Sequence, residues 1–329
     1  MINYNSASAL KAFLAQEGLG MRKKFGQNFL INPAVRQTLA DALESRGGDE
    51  VWEIGPGLGA MTAMLLEKGL KVKAFEIDEG FIRILKQEFA EEKNFCLIEG
   101  DVLKTWKSQA GVIQKERNNH GGHGVTRSFS TNIISSSVKL RVLRGKNSFS
   151  DSSRGIVCNK TAPFLFGNLP YNIAAVFLAD LIENGCLFKR MVVTVQKEVA
   201  LRMTSSVGSK DYSSFSVLCA SAYNVKPLTV IKPASFYPQP KVDSMAVLLE
   251  NRNTPAPCPV FFPLVRALFS SRRKTIKNNL SVFCASRFGN PELYAGFLEE
   301  NSLSGRERAE ELTAEVFLSL AKSVQNVRL

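Results

Sequence analysis

Val51-Trp52-Glu53-Ile54-Gly55-Pro56-Gly57-Leu58-Gly59-Ala60-Met61-Thr62 reads as an apolar strand that runs into a glycine-rich turn and then into a helix ending near Gly69. Glycines at such a junction let the backbone approach a nucleotide-like ligand closely. A second strand, Val72 to Ile77, delivers Glu76 and Asp78 at the distance downstream where an acid binds ribose hydroxyls. Strand, loop, helix and acid arrive in order, which makes the fold class α/β and the unit a nucleoside-binding βαβ.

The loop leaves two cofactor classes open, because Gly55, Gly57 and Ala60 also satisfy the looser dinucleotide fingerprint. Glu53 precedes the loop directly, where a carboxylate repels a pyrophosphate but suits a ligand carrying an amino group and a sulfonium. A third strand, Phe95 to Ile98, runs into Glu99-Gly100-Asp101, whose Asp101 is placed to accept from an adenine amino group. This placement favours S-adenosyl-L-methionine over NAD.

Downstream, Phe164-Leu165-Phe166-Gly167-Asn168-Leu169-Pro170-Tyr171-Asn172 ends another strand with groups suited to a planar nitrogenous ring. Asn168 brings an amide, Pro170 stiffens the turn so that the Leu169 carbonyl points outward, and Tyr171 brings a flat face. Together they suit an exocyclic amine. Beyond lie a helix through Ile173, Phe177 and Leu181, a strand Met191 to Val195, helical stretches at Gln196 to Met203 and Phe215 to Ala222, and an antiparallel hairpin, Val225 to Ile231 with Val242 to Leu249.

At the other end, Lys23-Lys24-Phe25-Gly26-Gln27-Asn28-Phe29-Leu30 mixes basic, aromatic and amide residues, which by itself reads as an arm packing Phe25 and Phe29 on the core with its lysines solvated, or as one placed to touch phosphate and base together. A helix follows, with Asn32 as N-cap, Pro33 in its first turn and Ile31, Val35, Leu39 and Leu43 on one face. Asn251 to Pro263 reads as a linker. After it, Leu264 to Leu268, Ile276 to Val282, Leu293 to Leu298 and Leu312 to Leu320 have helical patterns, with Arg272, Arg273, Lys274 and Lys277 as a candidate phosphate-binding edge. The division expected is 1-250 catalytic, with 251-329 a small all-helical domain.

The 329 residues carry a formal net charge of +12, which favours a polyanionic partner. Much of that excess is local. Between Lys107 and Lys160 ten basic residues face two acidic ones, so a segment of about 105-161, rich in Ser, Asn, Gly and Arg, supplies +8 and is expected to be a loop or disordered insertion. Both histidines, His120 and His123, fall in it, which leaves histidine general-base chemistry without a candidate elsewhere and a metal site without further ligands. The six cysteines are scattered singly, with no zinc or disulfide spacing. No apolar run reaches membrane-spanning length and no secretory signal is evident, so a cytoplasmic protein is expected.

These pieces resemble the small-subunit ribosomal RNA adenine N6,N6-dimethyltransferases. Lys24 to Leu30, Glu53 to Gly59, Glu76 to Asp78, Gly100-Asp101, Asn168 to Asn172, Gln196 to Val199, Pro240 to Ser244 and Arg272 to Thr275 carry the resemblance. It implies a Rossmann-like methyltransferase with a helical carboxy-terminal domain. It also implies two methyl transfers to each of two neighbouring adenines in the 3′-terminal hairpin of small-subunit rRNA. By matching position, Asn28, Leu30, Gly55, Gly57, Glu76, Asp101 and Asn168 are expected at the S-adenosyl-L-methionine site, with Tyr171 stacked on the target adenine. Neither metal nor membrane is implied, and a monomer acting on the small subunit or its assembly intermediate is expected. The rivals are a large-subunit rRNA methyltransferase conferring macrolide resistance, an assembly factor acting mainly by binding, and an NAD-dependent oxidoreductase. The insertion between Asp101 and Asn168 departs from the family pattern.

Overall fold

A computed structural model describes residues 2–20, 27–110 and 164–327. Lys23, Lys24, the His-Gly-Gly-His pair and the insertion from residue 111 to 163 lie outside the described residues. The elements in chain order are α1 (Ala7–Gln16), β1 (Phe29–Leu30), α2 (Pro33–Ala42), β2 (Glu50–Ile54), α3 (Ala60–Glu67), β3 (Lys71–Glu76), α4 (Glu79–Glu88), β4 (Phe95–Glu99) and α5 (Val102–Gln109). After the insertion come β5 (Phe164–Asn168), α6 (Ala174–Glu183), β6 (Arg190–Gln196), α7 (Lys197–Thr204), α8 (Ser214–Ala222), β7 (Tyr223–Ile231), β8 (Phe236–Tyr237) and β9 (Ser244–Asn251). Helices α9 (Phe261–Phe269), α10 (Ile276–Phe288), α11 (Tyr294–Glu300) and α12 (Ala314–Gln325) complete the chain.

The main sheet has the order β4-β3-β2-β5-β6-β9-β7. Its first five strands are parallel, and β9 and β7 join antiparallel. Strand order reverses between β2 and β5, the neighbours at which the chain changes direction across the sheet. In an open α/β sheet that crevice, outside the carboxyl ends of the strands, is where ligands bind. Both the glycine loop after β2 and the Asn-Leu-Pro-Tyr segment after β5 are therefore brought to one place by topology.

Apolar alternation explains the two layers. Leu165, Met191, Val193 and Val195 face a core shared with α6, α8 and the helices from α9 onward, while Phe164, Phe166 and Val192 face α2 and α3. The helices beyond residue 251 thus share apolar packing with the catalytic sheet. Parallel strands buried on both faces need such continuous apolar runs.

Three local expectations are corrected and one pairing is added. The segment from about residue 105 is not loop from its start: Asp101 caps α5, its carboxylate accepting from the Leu103 N–H at 3.0 Å, and Trp106 is fully buried with its indole donating to Asp180. A polar composition concealed one anchoring tryptophan. Pro263 is inside α9 rather than in the linker, because the first turn of a helix has N–H groups without intrahelical partners and tolerates proline. Strand β9 starts at Ser244, not Val242, which is exposed. Between the hairpin strands, β8 pairs with β1 as a separate two-stranded sheet, Phe29 opposite Tyr237 and Leu30 opposite Phe236. That pairing joins residues more than two hundred positions apart, and no local pattern announces it. Helices α1 and α4 likewise had no sequence counterpart.

Candidate active site

Glycine is required in the loop after β2 for steric reasons as well as for φ. Gly55 and Gly57 have φ of +69° and +60°, in the left-handed region that side chains disfavour. A Cβ on Gly57 would lie 2.9 Å from the Phe29 ring, so the ring of β1 and the loop interlock only without a side chain there. Beside this contact opens a cleft lined by Asn28, Leu30, Gly55, Gly57, Glu53 and Asn168 among others.

Two carboxylates are buried at the strand ends. Glu53 is 1 % exposed and accepts from the Thr62 hydroxyl at 2.7 Å. Burial pushes its pKa from an ordinary 4.5 to about 7, the Thr62 hydroxyl pulls it down, and nearby Glu76 adds to the rise. Glu76 is also buried and rises to about 7, again chiefly by desolvation, although the N–H groups of Asp78, Ile77 and Gly57 all donate to it. Those bonds measure 2.9, 2.8 and 3.1 Å. A carboxylate that gathers three backbone donors holds the glycine loop against the end of β3.

Of the residues expected at the cofactor site, Asn28, Leu30, Gly55, Gly57 and Asn168 line the cleft together. Glu76 borders it through Gly57, and Asp101 is occupied in capping α5. The donor set fits the expected group. The Glu53 carboxylate suits an amino group and a sulfonium, the Glu76 carboxylate suits ribose hydroxyls, and Gly57 seats the loop against Phe29 where a Cβ would clash.

The target side is built from neutral groups. Asn168 Nδ2 donates to the Asn28 carbonyl at 2.8 Å, which turns its Oδ1 away from that contact; no group among the described residues donates to Oδ1 or to the Leu169 carbonyl. The Leu169 N–H is held by the Thr194 carbonyl, and the Pro170 carbonyl accepts from Ile173 and Ala174 to start α6. Tyr171 is half-buried, its hydroxyl 2.6 Å from that of fully buried Ser244, and burial raises its pKa.

The profile of the ribosomal RNA adenine dimethylase family matches residues 18–326. The chain belongs to that family. Ribosomal RNA small subunit methyltransferase A of Treponema denticola is 42 % identical over 97 % of this chain and 94 % of the relative. The protein of the same name from Bacillus pumilus is 31 % identical over 96 % and 95 %. Among solved structures, a dimethyladenosine transferase from Plasmodium falciparum superposes with a TM-score of 0.64, at 24 % identity, covering 89 % of this chain and 96 % of its own. A 23S rRNA methyltransferase gives 0.55 at 17 % identity over 90 % and 99 %. Both likenesses establish the Rossmann-like methyltransferase fold. Membership makes the chain an rRNA adenine dimethyltransferase, and the family's methyl donor is S-adenosyl-L-methionine.

The basic edge divides. Arg272 is tied to Glu310, with Nη2 at 2.7 Å and Nε at 3.0 Å, and to the Lys210 carbonyl. Through these bonds it clasps the segment before α8 to the carboxy-terminal helices while its side chain stays exposed. Lys277 lies over the Tyr294 ring at 5.4 Å, and Arg273 and Lys274 are exposed. Among the described residues no helix is long and apolar enough to cross a membrane. Thr62, which donates to Glu53, and Ser244, which bonds Tyr171, were not singled out by the sequence reading.

Proposed function

We propose that this dimethyltransferase carries methyl groups from S-adenosyl-L-methionine to N6 of two adjacent adenines in the 3′-terminal hairpin of small-subunit rRNA during ribosome biogenesis. The observation that carries the reading is the pair of open acceptors, Asn168 Oδ1 and the Leu169 carbonyl, at the end of the strand beside the glycine loop. The relatives' names supply the choice of subunit.

The cofactor, when bound, supplies a methyl group activated by a sulfonium. Asn28, Leu30, Gly55, Gly57, Glu76, Asp101 and Asn168 would hold it, and the Glu53 carboxylate would suit its cationic groups. Asn168 Oδ1 and the Leu169 carbonyl would accept from the target amino group, orient the N6 lone pair and stabilise positive charge on N6 as it takes the methyl; S-adenosylhomocysteine would leave and the N6 proton would pass to solvent. Pro170 keeps that turn stiff. Tyr171 stacks on the base, at about 1–3 kcal/mol, which offsets much of the few kcal/mol needed to unstack it. Residues 1-250 perform the transfer, and the helices of 251-329 present Arg273, Lys274 and Lys277 to RNA, with Lys23 and Lys24 contributing from the amino-terminal arm. The protein acts as a monomer in the cytoplasm.

The deciding experiment labels unmethylated small subunits and, in parallel, large subunits with methyl-labelled cofactor and maps the modified bases. Dimethyladenines in the 3′-terminal small-subunit hairpin are expected. Label confined to large-subunit rRNA would overturn the substrate assignment, and tight subunit binding without label would overturn the transfer.

A further inference from the structure

One wall of the cofactor cleft comes from residues that precede the family match. Tyr4 and Leu10 line the cleft, and both lie ahead of residue 18, where the match begins. The Tyr4 hydroxyl donates to the carbonyl of Leu58 in the glycine loop at 3.1 Å. Helix α1 lays Leu10 and Leu14 in one apolar cluster with Leu58, Phe81 and Ile84, so the segment is packed in place rather than draped.

Behind this wall is Arg36. It shares the face of α2 that carries buried Leu39, Ala40 and Leu43, and is itself only 4 % exposed. Its Nη1 donates to the carbonyls of Leu30 at 2.6 Å and Tyr4 at 3.4 Å, its Nη2 donates to the Asn5 side-chain oxygen, and its Nε has no partner. All the acceptors are neutral. A buried guanidinium without an anionic partner is a costly arrangement, and although burial lowers its pKa the group stays charged. Among the described residues that line the cleft it is the one cation.

That charge has a complement in the expected ligand. Glu53 suits the amino group and sulfonium of S-adenosyl-L-methionine but repels the carboxylate of its methionine portion. We propose that Arg36, held by Tyr4, Asn5 and the Leu30 carbonyl, is a cofactor-binding residue that receives this carboxylate, so that the amino-terminal segment completes the methionine end of the site. The proposal rests on the S-adenosyl-L-methionine reading above.

The test is calorimetric binding to the full chain, with no RNA and no turnover. Two ligands are compared: S-adenosylhomocysteine, and S-adenosyl-3-thiopropylamine, the same molecule without its carboxylate. Arg36→Met is expected to weaken S-adenosylhomocysteine about ten- to hundredfold, the value of a hydrogen bond to a charged group, and to leave the decarboxylated ligand near its wild-type affinity. Arg36→Lys, which keeps the charge and loses the fork, should fall between. An equal loss for both ligands would make Arg36 a structural clasp and overturn the proposal, as would no loss for either. If ligand-free melting shows that Arg36→Met does not fold, Arg36→Lys carries the same comparison with the same two overturning results. Failure of the wild-type chain to bind S-adenosylhomocysteine at all would instead remove the cofactor reading, and this inference with it.

Discussion

The two sides of the crevice differ in kind. On the β2–β3 side the polar groups are buried carboxylates: Glu53 accepts from one hydroxyl, that of Thr62, and Glu76 from three backbone N–H groups. On the β5–β6 side they are neutral, half-buried and held by one bond each: Asn168 by the Asn28 carbonyl and Tyr171 by Ser244. A cationic cofactor calls for fixed negative charge. A neutral amine that becomes positive only during transfer calls for dipoles, which favour the developing charge without holding the uncharged amine in a deep well. The pairing also explains why Asn168 is an amide: its Nδ2 must donate to Asn28 while its Oδ1 accepts.

Breaking the neutral side should have the largest effect. Asn168→Ala removes an acceptor aimed at developing charge and is expected to lower single-turnover methyl transfer by about 10²–10³. An Asn168→Ala protein that transfers at the wild-type rate would remove the acceptor role. Tyr171→Ala comes next, losing about 1–3 kcal/mol of stacking in transfer rate while cofactor binding measured by calorimetry stays unchanged. Tyr171→Phe, which keeps the ring and gives up only the Ser244 bond, should retain most activity; similar losses in both would assign the effect to the hydroxyl instead.

The charged side is separated from the neutral side by pH. Glu53 and Glu76 titrate near 7 rather than 4.5. Their ionised forms suit a cationic cofactor, so affinity should rise with pH up to about 7 and then level, by at most about tenfold per pH unit for each carboxyl that must ionise. Glu53→Gln should flatten that profile. Without cofactor the sign is opposite. Both carboxyls hold protons more tightly folded than unfolded, so their contribution to stability is fully present below pH 4.5 and is lost as pH rises to about 7. A melting temperature that, in Glu53→Gln, keeps the wild-type slope across this range would sink the assignment of the slope to Glu53.

The smallest effects belong to the basic edge. Replacing Arg273 and Lys274 by Gln should lower the slope of log affinity for RNA against log salt by about 1 each and leave cofactor affinity untouched. Arg272→Gln breaks an exposed ion pair and should cost about 0.2–1 kcal/mol of stability, with a smaller change in salt slope than either neighbour. Equal slopes for all three would show that the Glu310 pair does not keep Arg272 from phosphate.

Much of the site was legible because it is local. Residues 53 to 59, 76 to 78 and 168 to 171 each sit on a single strand end, where strand pattern, glycines and turn chemistry occupy a few adjacent positions. Asn32 and Pro33 announced α2 for the same reason, since a cap acts within one turn. What was not legible is non-local. The β1–β8 pairing, the Tyr171–Ser244 bond and the Arg272–Glu310 clasp join residues far apart in sequence, and a lone Trp106 was enough to anchor a helix in a polar stretch.

The sequence by itself determined the α/β class, the family resemblance and which side chains are candidates for the chemistry, because periodicity and turn residues act over the few positions that dihedral angles and neighbouring side chains couple. Only the tertiary structure decided which of those groups are free to act. Strand order placed the glycine loop beside Asn168, burial moved two carboxyls towards neutrality, folding paired Arg272 with Glu310, and packing gave Arg36 neutral partners. Each of these depends on what the rest of the chain packs against a residue, and that is a property of the assembled fold.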